Sequence, residues 1–259
     1  MSDEPPLVSI VTPTLNQARY LEETIRSVEE QDYPRVEHLV IDGGSTDGTL
    51  EILSRHPQLR WVSGPDGGQA HAIGRGFELA SGRIFAWLNS DDLYLPGAVA
   101  EAVDALSGGN CALVYGGWRQ IDEHGTVLKD VHPKPWDHNA LLERMNFVPQ
   151  PAAFFTREAY ESVGGIDTRY RYAMDLDLWM RLGARFNVCC IDPILAAFRL
   201  HPESKTMAEY DSFAREVVQA SRRNGGRRLS SYYLDFYLPR RRPWLFRALL
   251  AYRHIRNWR

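Results

Sequence analysis

The stretch WLNSDDLYLPG, residues 87–97, places two adjacent carboxylates directly after an apolar segment. The apolar segment ends at Leu88, and the polar run and Pro-Gly that follow are typical of a buried strand that ends in a loop. Asp91 and Asp92 repel each other, and burial of either carboxylate without a partner is unfavourable. A divalent cation between these carboxylates and an anionic ligand would remove the conflict, so the stretch predicts a metal-binding loop.

The first 110 residues alternate between predicted strands and predicted helices. Four strands are predicted, at residues 7–14, 36–42, 59–64 and 83–89. Helices are predicted between them, and Ser45 or Thr46 could cap the short second helix. The alternation predicts a mostly parallel, Rossmann-like sheet with helices on both faces, and ligands bind such sheets beyond the C-terminal strand ends.

After about residue 110 the pattern changes. Residues 111–117 and 125–131 predict an antiparallel meander, and 207–223 predict a helix. Two short helices and then two short strands are predicted between them, at 156–164, 174–184, 186–192 and 193–200. The predicted fold class is therefore α/β, with a parallel sheet over 1–110 and a smaller mixed sheet over 111–221.

The bulk composition is that of an ordinary globular chain. Of its 259 residues 44% are hydrophobic and 24% are charged, and no run approaches the roughly 20 apolar residues needed to span a bilayer. The acidic N-terminus lacks the basic and apolar regions of a signal peptide. Cys111, Cys189 and Cys190 offer neither a disulfide framework nor the spacing of a metal motif. The expected location is the cytoplasm.

A basic, aromatic tail over 222–259 follows the domain predicted over 1–221. The tail holds eleven Arg and one acid, Asp235, although the whole chain has a net charge of −3. It could lie peripherally on an anionic membrane surface, bind nucleic acid through phosphates and stacked bases, or pack on the acidic body or a partner chain. We expect a helical tail with membrane contact or packing, and no nucleic acid partner.

The predicted strand ends carry a consistent set of small polar and acidic residues. In chain order these are Thr12, Thr14 and Asn16, then Asp42 and Gly43, then Asp66, Gly68 and Gln69, and finally Asn89 and Asp91. Turn geometry alone explains any one group, because Asp, Asn and Gly favour turns. Together the four groups predict a nucleotide-binding rim, where carboxylates accept hydrogen bonds from a base or ribose and glycines permit close approach.

Four of these segments resemble, in order and spacing, the motifs of family 2 glycosyltransferases with the GT-A fold. They are SIVTPTLNQARYLEETIRSV (9–28), VIDGGSTDGT (40–49), GPDGGQAHAI (64–73) and WLNSDD (87–92). The resemblance extends to about residue 205 and points to a bacterial envelope or exopolysaccharide enzyme. It implies an inverting transferase that uses a nucleotide-diphospho-sugar donor and a divalent metal, Mn²⁺ or Mg²⁺.

The resemblance also implies roles for individual residues. Thr12, Asp42 and Asp66 would hold the nucleoside, Asp91 would lie at the ribose–metal region, and Asp92 would bind the metal as part of a DXD-type motif. One departure is AIGRG (72–76), where the family often has Ala-x-Asn-x-Gly and Gly74 replaces the Asn.

The segment FRLHPESKT (198–206) supplies candidate groups for the metal or the diphosphate. His201 follows a predicted strand end, and a lone His in such a position is usually an ordinary surface or core residue. Because of the family resemblance, a role of His201 as a ligand of the metal or diphosphate is as well supported as that of an ordinary residue. Arg199 and Lys205 could offset the charge of the leaving diphosphate.

Transfer with inversion requires a base that takes the proton of the acceptor hydroxyl. On a helix Asp175 and Asp177 point about 200° apart, so only one of them can face a site. Asp175 shares a face with Trp179, and partial burial there would raise its pKa toward working pH. The family's Glu-Asp base motif also falls on Asp175, with Met174 in the Glu position. Stabilisation by the helix dipole is the alternative explanation for both aspartates.

Gln150 and Trp179 are the expected acceptor-side residues, and the expected acceptor is a glycan or a lipid-linked sugar. An equally good explanation of Gln150 is that its side-chain amide forms hydrogen bonds with loop backbone. The two other functions considered are a sugar-1-phosphate nucleotidyltransferase and a non-catalytic sugar-nucleotide or glycan-binding scaffold. TPTLNQARY (12–20) lacks the glycine- and arginine-rich loop that nucleotidyltransferases usually need. The sequence is also compatible with an oligomer.

Overall fold

The computed structural model describes residues 4–201 and 210–241. In this part of the chain nine strands form one sheet, in the order β3-β2-β1-β4-β8-β6-β9-β5, with β7 paired to β6. The strands are β1 Val8–Thr14, β2 Val36–Asp42, β3 Arg60–Ser63, β4 Ile84–Trp87, β5 Leu93–Tyr94, β6 Leu113–Ile121, β7 Val127–Val131, β8 Ala153–Thr156 and β9 Val188–Arg199. The first four are parallel, as predicted.

Helices connect the strands and cover the sheet. They are α1 Leu21–Glu29, α2 Thr49–Ser54, α3 Gln69–Leu79, α4 Ala98–Ser107, α5 His138–Glu143, α6 Arg157–Ser162, α7 Met174–Gly183, α8 Tyr210–Arg223 and α9 Leu238–Arg241. A short 3₁₀-helix spans Gln150–Ala152 and a π-helix spans Tyr232–Tyr237. None of the helices described has the length and apolarity to cross a bilayer.

Both faces of the sheet are packed against helices, as the strand–helix alternation predicted. Adjacent residues of β1 point to opposite faces, since side chains alternate along a strand. Val11 packs in a core cluster with Ile73 of α3, and Ile10 packs in a second cluster with Val99 of α4. Gly76 allows α3 to lie directly on β1, because a Cβ there would overlap the Val11 side chain.

The two halves of the chain share one continuous sheet instead of forming a larger and a smaller one. Strand β8 is antiparallel to both β4 and β6, and it therefore joins the parallel half to the later strands. The second half is mixed, as expected, because β6 pairs antiparallel with β7 but parallel with β9.

The two strands predicted at 186–192 and 193–200 are one strand, β9, that continues through Pro193. The β6–β9 register shifts on both sides of Gly117, and this irregularity accommodates a proline that has no N–H to donate. Gly116 is required at the same place. A Cβ on Gly116 would lie 2.6 Å from the Pro193 carbonyl oxygen and 2.6 Å from Leu195 Cγ.

The described part of the C-terminal tail packs on the body of the protein. Tyr232 and Leu238 are buried, and the Tyr232 hydroxyl donates a 2.9 Å hydrogen bond to the Leu141 carbonyl. Arg223 forms a 3.1 Å ion pair with Asp167. Helix α8 continues to Arg223, so the boundary expected after residue 221 falls inside a helix. These contacts favour packing over membrane contact for 222–241, whereas the rest of the tail lies outside the described residues.

The expectation that the cysteines form no disulfide was wrong. Cys111 and Cys189 are bonded, with their Cα atoms 5.8 Å apart, and Cys190 is a free thiol. The two cysteines meet because β6 and β9 are neighbours: the Ala112 N–H donates to the Asn187 carbonyl at 3.0 Å. Their separation of 78 residues gives no sequence motif, so only the strand pairing reveals the bond.

We expect the Cys111→Ala, Cys189→Ala double variant to lose roughly 2–4 kcal/mol of unfolding free energy, because the disulfide restricts the unfolded chain. Urea unfolding of the oxidised protein and of the variant measures the loss. Cys190→Ala is the matched control and should leave the oxidised bond in place. A mass-spectrometric count of three free thiols in the native protein would contradict the pairing.

Candidate active site

Asp42, at the end of β2, organises the loop that follows it. Its side chain is fully buried and accepts hydrogen bonds from the Gly44 N–H at 3.1 Å, the Ser45 N–H at 3.0 Å and the Ser63 hydroxyl at 2.6 Å. The carboxylate is therefore saturated by the protein. The expectation that Asp42 contacts the nucleoside directly does not fit this placement, because a buried strand-end carboxylate is satisfied by the loop it begins.

The polar residues after β1 differ in exposure. Thr12 is fully buried and its hydroxyl lies 2.9 Å from Nε2 of His38, so Thr12 is a core residue and does not face an open site, contrary to expectation. The Thr14 hydroxyl is buried and has no hydrogen-bond partner among the described residues. Asn16 is exposed, has φ +52°, and accepts a 2.8 Å hydrogen bond from the Thr46 N–H. Asn16 thus joins the loops after β1 and β2.

Asp66 is placed at the surface beside the loop after β2. Its carboxylate is exposed and accepts a 2.7 Å hydrogen bond from the Gly68 N–H. A Cβ on Gly43 would lie 3.2 Å from Asp66 Oδ2, so glycine keeps these two loops in close approach. Gly68 has φ +101°, a conformation that glycine adopts without strain, and α3 begins at the next residue.

Three amide side chains connect the rim of the site. Gln69 Nε2 donates to Asn89 Oδ1 at 2.7 Å, and Asn89 Nδ2 donates to Gln150 Oε1 at 2.9 Å. Gln150 Nε2 donates to the Trp87 carbonyl at 2.6 Å, so Gln150 also satisfies backbone, the alternative that its sequence context left open. Asn89 Nδ2 is also 3.3 Å from Asp92 Oδ2, which links this network to the acidic pair.

Asp92 is fully buried and joins the ends of β4 and β9. Its Oδ1 accepts a 3.1 Å hydrogen bond from the backbone N–H of Arg199, and Oδ2 accepts from Asn89. Burial, together with the neighbouring charge of Asp91, raises the pKa of Asp92 well above its ordinary value. Asp92 therefore lies behind the site surface, whereas the family resemblance implied that it binds the metal.

Asp91 and His201 form the pair that presents metal-binding atoms. Asp91 Oδ2 lies 2.9 Å from His201 Nε2, and the Asp91 side chain is 24% exposed whereas the imidazole is nearly buried beside Tyr20. A carboxylate oxygen and an imidazole nitrogen suit Mn²⁺, and Mg²⁺ or Mn²⁺ commonly completes its shell with substrate phosphates and water. The donor set therefore fits a divalent ion shared with a diphosphate. No group of three His, Cys, Asp or Glu side chains that could bind a metal alone occurs in 4–201 and 210–241.

Arg199 has a structural role that its sequence position did not indicate. Its side chain is buried and donates to the Asp91 carbonyl at 3.0 Å and to Glu23 Oε2 at 2.6 Å, with the guanidinium 4.7 Å from the Tyr20 ring centre. This arrangement neutralises Arg199 and fixes the acidic loop, so the guanidinium does not face a diphosphate. Lys205, the other cation considered, lies outside the described residues.

A pocket of about 460 Å³ opens beside the amide network. Its lining includes the polar side chains Gln69, Asn89, Gln150 and Asp175 and the large apolar side chains Trp118, Phe147, Met174 and Phe198. Aromatic rings together with hydrogen-bonding groups are suited to a sugar, which has apolar faces and polar edges.

Asp175 is the carboxylate that faces this pocket. It lies in the first turn of α7, is half-buried, and accepts a 3.1 Å hydrogen bond from Asn146 Nδ2. Burial raises the pKa of Asp175 to about 6, as the sequence analysis expected from its position. Asn146 was missed by the sequence analysis, because nothing in the surrounding residues indicates that its loop reaches α7.

The other predicted residues of α7 point into the interior. Asp177 is buried and accepts hydrogen bonds from Arg181 Nε at 2.8 Å and Asn224 Nδ2 at 2.9 Å. Trp179 is fully buried and stacks on Trp87 with 5.4 Å between ring centres. Trp179 therefore lies behind Trp87, which lines the pocket, and its side chain has no exposed face that could contact an acceptor.

Gly74 leaves open space where many family members are expected to carry Asn. A Cβ at this position would meet no other atom within 4 Å. A larger residue could therefore begin here without a clash at its Cβ, although the amide of the family's usual Asn is absent.

Comparison with solved structures identifies the class of protein that this fold and site define. TarS of Staphylococcus aureus, solved in complex with UDP-GlcNAc, superposes with a TM-score of 0.70 at 15% identity over 90% of this chain and 74% of that one. The mannosyltransferase PcManGT of Pyrobaculum calidifontis, solved with GDP-Man and Mn²⁺, gives 0.69 at 24% identity over 96% and 74%. The fold is the GT-A fold of glycosyltransferases.

The sequence comparisons then identify the family. The model described as glycosyl transferase family 2 matches residues 9–164. An uncharacterized glycosyltransferase of Mycobacterium tuberculosis is 32% identical over 250 residues, which cover 92% of this chain and 95% of the relative. TuaG of Bacillus subtilis, a glycosyltransferase named for teichuronic acid biosynthesis, is 28% identical over 77% of this chain and 81% of its own. The chain belongs to glycosyl transferase family 2 and is a glycosyltransferase, as its motifs predicted.

We expect Asp177→Ala to lower the free energy of unfolding by roughly 2 kcal/mol, because it leaves the partly exposed Arg181 charge and the Asn224 amide without their partner. Urea unfolding measures the change. Asp104→Ala, at an exposed position of α4, is the control and should stay within about 0.5 kcal/mol of the parent protein. Equal effects of the two substitutions would contradict the structural role of Asp177.

Proposed function

We propose that the chain transfers a sugar, with inversion and with a divalent metal, from a nucleotide-diphospho-sugar to a hydroxyl of a glycan or lipid-linked acceptor. The observation that carries the proposal is the half-buried Asp175 carboxyl, which faces the pocket. Burial raises the pKa of this carboxyl to about 6. Membership of family 2 and the nucleotide sugars bound by TarS and PcManGT support the donor class.

Asp175 would act as the general base. Inversion by direct displacement needs one group that removes the acceptor proton as the hydroxyl attacks the sugar carbon. A carboxyl with a pKa near 6 is largely ionised at neutral pH yet more basic than an ordinary Asp. The hydrogen bond from Asn146 orients the carboxylate, and the aromatic side chains that line the pocket would hold the acceptor sugar near it.

The donor would lie along the strand ends. Asp66 and the unpartnered Thr14 hydroxyl are the candidate contacts for the nucleoside, with the Gly43 and Gly68 loops beside them. Gln69 and Asn89 would orient the donor sugar or diphosphate from the amide network. Asp42 and Thr12 would act indirectly, because both are buried and hold these loops in place.

Asp91 and His201 would hold the metal, with Asp92 and Arg199 fixing the loop behind them. A bound divalent cation would neutralise the donor diphosphate and stabilise the leaving nucleotide. PcManGT was solved with Mn²⁺, which supports this choice of cofactor. Arg199 itself would not meet the diphosphate, since it is buried and paired with Glu23.

A sugar-1-phosphate nucleotidyltransferase and a non-catalytic scaffold are distinguished from this proposal by the product. Nucleoside diphosphate that appears only with an acceptor supports transfer, pyrophosphate supports nucleotidyl chemistry, and absence of turnover supports a scaffold. A thermal-shift screen of nucleotide sugars, with and without Mn²⁺, selects the donor for this assay.

We expect Asp175→Asn to abolish acceptor-dependent release of nucleoside diphosphate while donor binding persists, because the amide cannot take a proton. In the parent protein the rate should fall as pH decreases through about 6, since protonation of the carboxyl removes the base. The rate–pH profile and donor-induced melting shift measure both effects. Asp104→Asn, outside the pocket, is the control, and normal transfer by Asp175→Asn would refute the assignment.

We expect EDTA to stop transfer and Mn²⁺ or Mg²⁺ to restore it. His201→Gln should raise the metal concentration needed for half-maximal rate by at least about tenfold. Loss of a residue that only supports a metal ligand already weakens metal binding by roughly 10- to 100-fold, and loss of a ligand should cost no less. His124→Gln is the matched control, since this His is exposed and belongs to the turn between β6 and β7. Full turnover in EDTA would exclude the metal.

A further inference from the structure

Glu216, on α8, binds the backbone immediately before the helix that carries Asp175. Its Oε2 accepts hydrogen bonds from the Tyr172 N–H at 2.6 Å, the Arg171 N–H at 2.9 Å and the Ala173 N–H at 3.1 Å. Its Oε1 accepts a further one from the Arg171 N–H at 3.1 Å. One side chain, 43 to 45 residues away in sequence, thus satisfies three consecutive amides.

These amides need an acceptor that α7 does not supply. The three amides belong to Ala173, the N-cap residue of α7, and to the two residues before it. These N–H groups have no partner within the helix, because they precede its first hydrogen-bonded turn. A carboxylate is the best acceptor here, since its negative charge is stabilised by the positive end of the helix dipole.

The residues held by Glu216 are the ones that shape the pocket. Arg171, Tyr172 and Asp175 all line it, and Asp175 is only two residues beyond the last bonded amide. Rotation of this first turn would move the Asp175 carboxylate away from Asn146 and from any bound acceptor. Side chains on a rigid element keep their geometry only if the element itself is fixed.

Helix α8 fixes α7 at a second point as well. Asn224, one residue after α8 ends, donates to Asp177 Oδ1 at 2.9 Å on the side of α7 away from the pocket. Glu216 and Asn224 together prevent α7 from sliding or rotating, but only Glu216 contacts the segment that faces the pocket.

We propose that Glu216 is a positioning residue for the transfer reaction, which it serves by fixing residues 171–173 and thereby the orientation of Asp175. The proposal rests on the function proposed above for Asp175. It assigns α8 to the catalytic apparatus, although no residue of α8 lines the pocket.

The test is Glu216→Gln in the full chain, with two measurements. Hydrogen exchange followed by mass spectrometry should show faster exchange of the amides of 171–173, because a neutral amide is a weaker acceptor and places an N–H donor among them. Steady-state transfer should show kcat lower by roughly 10- to 100-fold with the KM for the nucleotide-sugar donor unchanged, since a misplaced base affects chemistry and not donor binding.

Glu101→Gln, at an exposed position of α4, is the matched control and should change neither measurement. Faster exchange with normal kcat would overturn the proposal, because the cap would then be structural only, and unchanged exchange would overturn it as well. If Glu216→Gln fails to fold, Glu216→Asp, which keeps the charge but shortens the reach, should show the same loss of kcat. Normal transfer by Asp175→Asn would remove the base assignment alone, and the exchange result would still report on the cap.

Discussion

The arrangement of the site depends on the buried hydrogen bond between the Asp92 carboxylate and the Arg199 N–H. Asp92 follows β4, in the first half of the chain, and Arg199 ends β9, in the second half. This bond brings the loop with Asp91 next to the segment with His201, and the Arg199 side chain then holds the same loop by its backbone. Loss of either partner would leave a buried polar group unsatisfied, which is a strong reason for both loops to keep one conformation.

In two pairs of aspartates close in sequence, Asp91 with Asp92 and Asp175 with Asp177, the two carboxylates differ in burial. In each pair one carboxylate is buried and bound by protein groups, Asp92 by Arg199 and Asp177 by Arg181 and Asn224. The other member of each pair faces a site, namely Asp91 beside His201 and Asp175 in the pocket. In each pair the buried carboxylate thus anchors the segment from which the other carboxylate faces the site.

The sequence was sufficient for the fold class, for the parallel arrangement of the first four strands and for the prediction that Asp175, and not Asp177, faces a site. Those features follow from local periodicity, since side-chain direction repeats along strands and helices. The roles of Asp42, Thr12 and Arg199 could not be predicted, because a polar residue at a strand end has the same local signature whether it faces a ligand or the interior. Position relative to other loops decides between the two cases.

Long-range pairing explains the remaining differences. The disulfide, the single sheet and the hydrogen bonds from residues 171–173 to Glu216 join segments that are 40 or more residues apart. Trp179 was misplaced for the same reason, since its stacking partner Trp87 belongs to the other half of the chain. No local pattern contains this information.

The register of β9 has a consequence for how the site can vary among related chains. Between Cys189 and Arg199 the strand passes the irregularity at Gly116 and Gly117, where its phase against β6 is reset. A slip of one residue would exchange the inward and outward faces of the strand, so that Leu200 would stand where Arg199 now anchors the acidic loop. Two small residues on β6 thus determine which side chains of β9 reach the acidic loop, and related chains that replace them must realign the strand by other means.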